Sequence, residues 1–176
     1  MKEKEGIILF DASIYDRLTA EERYEDLLSS LEALLSDEKD SLTNLCNASA
    51  LIYALIGDLN WCGFYLMKNN QLVLGPFQGM PACTRIKPGK GVCGAACTQK
   101  QVMIIHDVHE FKDHIACDAA SNSEMVLPII NKGKLYGVLD LDSIKAGRFK
   151  ELEKKYLEQS IIVLNKYIDW EKLIKM

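Results

Sequence analysis

Between residues 124 and 142 the chain alternates apolar and polar side chains twice, on either side of a short turn. This is the pattern of a β-hairpin, whose strands turn alternate side chains to opposite faces. In Lys134-Leu-Tyr-Gly-Val-Leu-Asp-Leu-Asp142 one face carries Leu135, Gly137, Leu139 and Leu141, and the other Tyr136, Val138, Asp140 and Asp142. In the partner strand Met125, Leu127 and Ile129 alternate with Glu124, Val126 and Pro128. A two-residue Lys132-Gly133 loop would set Met125 against Asp140, an apolar group against a carboxylate. A three-residue Asn131-Lys132-Gly133 loop, with Gly133 in the left-handed region, sets Glu124 against Asp140 instead. That register is the expectation. Any fold must then bury one apolar face and accommodate three carboxylates on the other.

The remaining segments supply what could cover such a sheet. Thr19-Ala-Glu-Glu22 is a capping box that opens a helix running to about Asp37, with Leu27, Leu28, Leu31, Leu34 and Leu35 on one stripe. Asp40 or Ser41 caps a second helix ending at Gly57, its stripe made of Leu42, Leu45, Cys46, Ile52, Leu55 and Ile56. Trp61 to Met67 and Gln71 to Phe77 read as paired strands, and Val102 to Ile105 as a short one. Residues 78 to 101 are mostly loop, with a short helix starting near Gly91. Residues 106 to 122 form a long polar loop holding all three histidines. A closing amphipathic helix spans about Lys150 to Ile174. The expected class is α+β, a central antiparallel sheet flanked by helices. The expected organisation is a lead-in over residues 1–18 and one domain over residues 19–176.

Composition narrows the function classes. At 176 residues, 48% hydrophobic and 26% charged, the chain can bury a real core. A net charge of -4 argues against nucleic-acid binding, which needs a cationic surplus. No apolar run reaches a membrane span, and Met1 to Gly6 followed by four apolar residues is no secretory signal. A reducing, cytoplasmic setting is therefore expected. There, Cys46, Cys62, Cys83, Cys93, Cys97 and Cys117 are metal ligands, redox thiols or buried apolar residues rather than structural bridges.

Several patterns could carry chemistry. Gly89-Lys90-Gly91-Val92-Cys93-Gly94 matches G-x-G-x-x-G, but no buried parallel strand precedes it, so a glycine loop before a helix is the better reading. That helix start would lower the pKa of Cys93. Cys93 with Cys97, His106 with His109, and His114 with Cys117 have spacings a metal can use, yet no C-x-x-C pair supports zinc, and no metal is expected. Cys46 and Cys62 read as core residues, and Cys97 fits either role. Cys83, Cys93 and Cys117 fall in loops or at element edges, beside the carboxylate face. Like charges facing each other on a sheet cost stability. A pocket that binds a cation, or keeps one carboxyl protonated as an acid, accounts for Glu124, Asp140 and Asp142. A free amino acid brings such a cation in its ammonium group. Trp61 and Tyr65 offer an aromatic wall on one strand face.

At these residues the sequence resembles the free methionine-(R)-sulfoxide reductases, which are GAF-domain enzymes. The resemblance runs from about Thr19 to Ile168. It is dense in Asn60-Trp-Cys-Gly-Phe-Tyr65, Gly75-Pro-Phe-Gln-Gly-Met-Pro-Ala-Cys-Thr-Arg-Ile86, Gly89-Lys-Gly-Val-Cys-Gly94 and His114-Ile-Ala-Cys-Asp-Ala-Ala-Ser-Asn-Ser-Glu124, and closes with Gly137-Val-Leu-Asp-Leu-Asp142. It implies a GAF-like fold, Cys117 as catalytic cysteine, and Cys83 and Cys93 as resolving and recycling cysteines. It also implies Glu124, Asp140 and Asp142 as substrate-binding and proton-supplying residues, with Trp61 and Tyr65 as the pocket wall. A homodimer, thioredoxin as reductant and no bound cofactor complete the implied picture. Cys62 and Cys97 depart from the pattern, since small non-thiol residues are common there. Two other readings remain open on the residues alone: a non-catalytic GAF module sensing a small amino-acid-like ligand, and a zinc-binding regulatory protein.

Overall fold

A computed structural model describes residue 15 and residues 17–112 and 118–176 of the chain. The capping box forms as written. The Thr19 N–H and hydroxyl both donate to the Glu22 carboxylate, and the Glu22 N–H donates to Thr19 Oγ1. It opens α1 (Ala20–Asp37), which buries Tyr24, Leu27, Leu31 and Leu35. Each such leucine contributes about 2 kcal/mol by leaving water. Asp40 caps α2 (Ser41–Leu55) through the Thr43 N–H. On α2 the expected stripe is only partly right: Leu45, Ile52 and Leu55 are buried, but Cys46 is exposed and Leu42 keeps 41% of its surface. Ser41, Asn44, Ala48 and Ser49 take the inner positions beside the leucines, so small and polar residues occupy part of the buried face.

The strands are β1 (Leu59–Lys68), β2 (Gln71–Gly79), β3 (Arg85–Ile86), β4 (Met103–Ile105), β5 (Ser123–Asn131) and β6 (Lys134–Ser143). They form one antiparallel sheet in the order β3-β2-β1-β6-β5-β4. The short β3 falls in a stretch the sequence reads as loop. Helix α3 (Gly91–Gln99) begins where the glycine motif predicts, and Gly89 and Gly91 both have positive φ. Among its described residues the long loop contains one 3-10 turn, Val108–Glu110. The closing helix is two: α4 (Glu151–Tyr167) and α5 (Trp170–Lys175). The break comes at Asp169, whose carboxylate accepts from the Lys172 N–H and starts a new helix. None of the described helices is long and apolar enough to cross a membrane.

The two sheet faces carry separate apolar clusters. On one, Cys62, Phe64, Leu66, Met125, Leu127, Leu139 and Leu141 pack with residues of α1, α2, α4 and α5. On the other, Trp61, Tyr65, Val126 and Val138 pack with Val92, Cys93, Ala96 and Cys97 of α3. Among the described residues the helical cover on the second face is one short helix, which leaves that face room for a cleft.

The hairpin differs from the expected register. Asn131 pairs with Lys134, so the turn is the two-residue Lys132-Gly133 loop, with φ of 49° and 80°. Ile129 then pairs with Gly137 but Ile130 with Leu135, so Tyr136 is an extra residue in β6. This bulge reverses the faces at the turn end of β6. Tyr136 joins the large core and stacks 6.2 Å from Trp170, while Leu135 packs on the α3 side. Glu124 therefore pairs with Asp142, and Val126 with Asp140, rather than Glu124 with Asp140. The three carboxyls still share one face, because the bulge restores the parity that the shorter turn would have lost.

Candidate active site

Strand β6 places Asp140 and Asp142 one pleat apart, and β5 sets Glu124 directly beside Asp142. The first turn of α3 lowers Cys93 onto this acidic strip, and its thiol donates to Asp140 Oδ2 at 3.1 Å. Cys93, Glu124 and Asp140 are all buried, with Sγ and carboxylate oxygens within 4.8 Å of one another. Among the described residues this is the one trio of His, Cys or acidic side chains close enough to share a metal ion. The histidine spacing leads elsewhere: His109 Nδ1 lies 2.8 Å from Asp107 Oδ1, on the surface. The cleft over the strip is lined by Ile86, Lys90, Val92 and Cys93 on one side and by Asp118 and Ser121 on the other.

Burial dominates the electrostatics. It pushes the Glu124 carboxyl well above the usual carboxylate range, and the neighbouring Asp140 and Asp142 push it further. Asp142 is raised in the same way, by burial and then by Asp140 and Asp118. Asp140 rises to about 6, because hydrogen bonds from Cys93 and Glu124 offset part of its burial. The cluster thus holds protons near neutrality. Cys93 does not gain the lowered pKa that a helix start suggests. Burial and the adjacent Asp140 raise it well above the ordinary thiol value, and these outweigh one turn of helix dipole.

Trp61 and Tyr65 are almost fully buried and stack at 5.8 Å, with Phe77 on the other side of Trp61 at 5.4 Å. Trp61 pairs with Asp142 across the β1–β6 ladder, so the aromatic stack flanks the carboxyls. Both side chains also hold the loop that bears Cys83. Trp61 Nε1 donates to the Met80 carbonyl at 3.1 Å, and the Tyr65 hydroxyl to the Cys83 carbonyl at 3.0 Å. Cys83 is half-buried, and Cys62 and Cys97 are buried. Cys117 and His114 lie outside the described residues. Asp118, Ser121 and Lys90 belong to the cleft but were assigned no role from sequence. Asp118 and Ser121 sit in a polar loop whose residue types give no periodic signal, and Lys90 reads as an ordinary helix-flanking charge.

The GAF domain family model matches residues 30–164. The free methionine-R-sulfoxide reductase of Escherichia coli is 50% identical over 147 residues, covering 84% of this chain and 89% of that one. The chain belongs to the free methionine-(R)-sulfoxide reductases, a GAF-domain family. The Saccharomyces cerevisiae member is 44% identical over 157 residues, covering 85% of this chain and 87% of that one. The X-ray structure of the Neisseria meningitidis reductase in complex with its substrate superposes with a TM-score of 0.84 at 37% identity, covering 89% of this chain and 94% of that one. The reductase family's fold therefore accounts for both the helix-covered face and the face that carries the cleft.

Proposed function

We propose that the chain reduces free L-methionine (R)-sulfoxide to L-methionine, with Cys117 as nucleophile. The observation that carries the reading is the buried acidic strip of Glu124, Asp140 and Asp142 under α3, whose carboxyls hold protons more tightly than usual, in a chain 37% identical to a reductase solved with its substrate. The Cys117 thiolate attacks the sulfoxide sulfur. A carboxyl of the strip gives its proton to the sulfoxide oxygen as the sulfur–oxygen bond breaks. With a second proton from solvent the oxygen leaves as water. Another water then attacks Cys117 Sγ and loses its proton, and the bond between Sγ and the methionine sulfur breaks with its electron pair on methionine. Methionine sulfur has gained two electrons, and Cys117 has given up two and is a sulfenic acid. A second thiol displaces water from it and forms a disulfide. A dithiol protein of the thioredoxin class then exchanges with that disulfide. The same reading includes the homodimer that the resemblance implies and the cytoplasmic setting expected from the sequence.

The thiol environments support Cys83 as the resolving residue. Cys93 is buried, held as a thiol and hydrogen-bonded to Asp140, which makes it a poor attacking group. Cys83 is half-buried on a loop. Asp140, whose pKa of about 6 leaves it mostly ionised at pH 7, also favours the substrate's ammonium, so the cleft selects the free amino acid over a peptide-bound residue. The test is an assay of racemic free methionine sulfoxide with a thiol reductant, followed by chiral separation. Loss of the (R) form with matching methionine supports the reading, and no loss of the (R) form overturns it.

A further inference from the structure

The residues Asp118 to Ser121 form one wall of the cleft, immediately after Cys117 in the chain. Downstream the backbone is well tied. The Asn122 N–H donates to the Ser143 carbonyl, Asn122 Nδ2 to the Ile144 carbonyl, and Ser123 Oγ to the Lys145 carbonyl. The wall itself is held differently. Its internal bonds are local: the Ala120 N–H donates to Asp118 Oδ1 and the Ser121 N–H to the Asp118 carbonyl. Among the described residues, its side-chain hydrogen bonds to the sheet come from one residue. Asn60 Nδ2 donates to Asp118 Oδ2 at 2.9 Å and to Ser121 Oγ at 2.9 Å. Asn60 stands in β1, next to Trp61 and the acidic strip.

We propose that Asn60 is a positioning residue, whose single side-chain amide fixes the Asp118–Ser121 wall of the cleft against β1. Both hydrogens of one NH₂ group are used, one on each end of the wall, so the wall's tilt as well as its distance is set. An amide suits this place because Asp118 is ionised: the Ala120 N–H and the Asn60 amide lower its pKa. A donor is required opposite it, and a carboxylate there would repel it. With Trp61 and Tyr65 holding the Cys83 loop, one strand then positions the chain on both sides of the cleft. The link to turnover rests on the reductase reading; the anchor itself does not.

The experiment compares wild type with Asn60→Ala, Asn60→Asp and the double exchange Asn60→Asp with Asp118→Asn. Hydrogen–deuterium exchange is read at residues 119–121, and turnover of free methionine (R)-sulfoxide is measured in parallel. Both single variants should exchange at least about tenfold faster in this segment, while the β1–β6 ladder and the melting temperature stay as in wild type. Both should lose about tenfold to a hundredfold in turnover, the scale expected when a reacting group shifts by about 1 Å. The double exchange restores a donor–acceptor pair with its roles reversed, and should restore protection of residues 119–121. Single variants with wild-type exchange, or a double exchange that stays unprotected, overturn the proposal. So does wild-type turnover in Asn60→Asp. A wild type without turnover defeats the reductase reading instead, and the anchor is then decided by exchange alone.

Discussion

Glu124, Asp140 and Asp142 each bind a proton more tightly in the folded chain than in the unfolded one, because folding takes them out of water and, for Glu124 and Asp142, sets them beside Asp140. A raised carboxyl pKa contributes stability that is fully present below the unfolded value and is lost as pH rises through the folded value. For Asp140 the window opens near its ordinary 3.8 and runs through about 6. Its share of the loss between pH 5 and 8 is on the order of 1 kcal/mol. Asp140→Asn should therefore flatten the fall in stability across that range, since it also relieves Glu124 and Asp142. Urea unfolding at pH 5 and pH 8 measures this, and an unchanged pH dependence in the variant contradicts it. At the same scale, Cys117→Ser should abolish turnover and leave the melting temperature unchanged. Cys83→Ser should still release up to one methionine per site in a single turnover, but lose thioredoxin-driven cycling. Substantial steady-state rates in either variant would reassign that thiol.

Among the elements, the β5–β6 hairpin determines the site. Its period-2 pattern was legible, and so was the shared face of the three carboxyls. The bulge at Tyr136 was not, because its cause lies in β1 rather than in the hairpin. A Cβ on Gly137 would come within 2.1 Å of the Tyr65 carbonyl oxygen, so the bulged segment approaches β1 as closely as a bare backbone allows. Gly137→Ala should cost about 1–3 kcal/mol, in the range of an overpacked core. Gly133, at φ 80° in the turn, meets nothing within 4 Å. Gly133→Ala should cost only the left-handed strain of about 1–2 kcal/mol and leave turnover unchanged. Chemical denaturation of both variants, with activity measured alongside, separates crowding from turn strain. A Gly137→Ala variant as stable as wild type would contradict the bulge argument. Two other sequence expectations failed for physical reasons of the same kind. The continuous amphipathic period of residues 150–174 hid the break that Asp169 makes by capping α5. Within the expected stripe of α2, Leu42 and Cys46 are exposed while Asn44 and Ser49 are buried instead; Asn44 bonds the Glu38 carbonyl and Ser49 the Cys46 carbonyl.

Across the whole molecule, the helix-covered face is the stable platform and the α3 face carries the candidate site. Tyr24, Arg148 and Glu153 tie α1, the β6–α4 connection and α4 together. The Tyr24 hydroxyl donates to Glu153 at 2.7 Å, Arg148 Nη1 to Glu153 at 2.8 Å, and Arg148 Nε to the Gly57 carbonyl at 3.1 Å. Glu153→Ala leaves the largely buried Arg148 without its counter-charge and should destabilise by about 3–5 kcal/mol. Activity per folded molecule should be unchanged, because this network sits on the far side of the sheet from the cleft. Thermal melts with activity normalised to folded protein check both parts. In the proposed function the carboxyls of the cleft recognise a free amino acid. The most direct measurement compares steady-state turnover of free L-methionine (R)-sulfoxide with that of its N-acetyl form, both with thioredoxin as reductant. The account predicts efficient turnover of the free form and a loss of at least about a hundredfold on acetylation, the size of one buried charge-assisted hydrogen bond. Equal turnover of the two would contradict it.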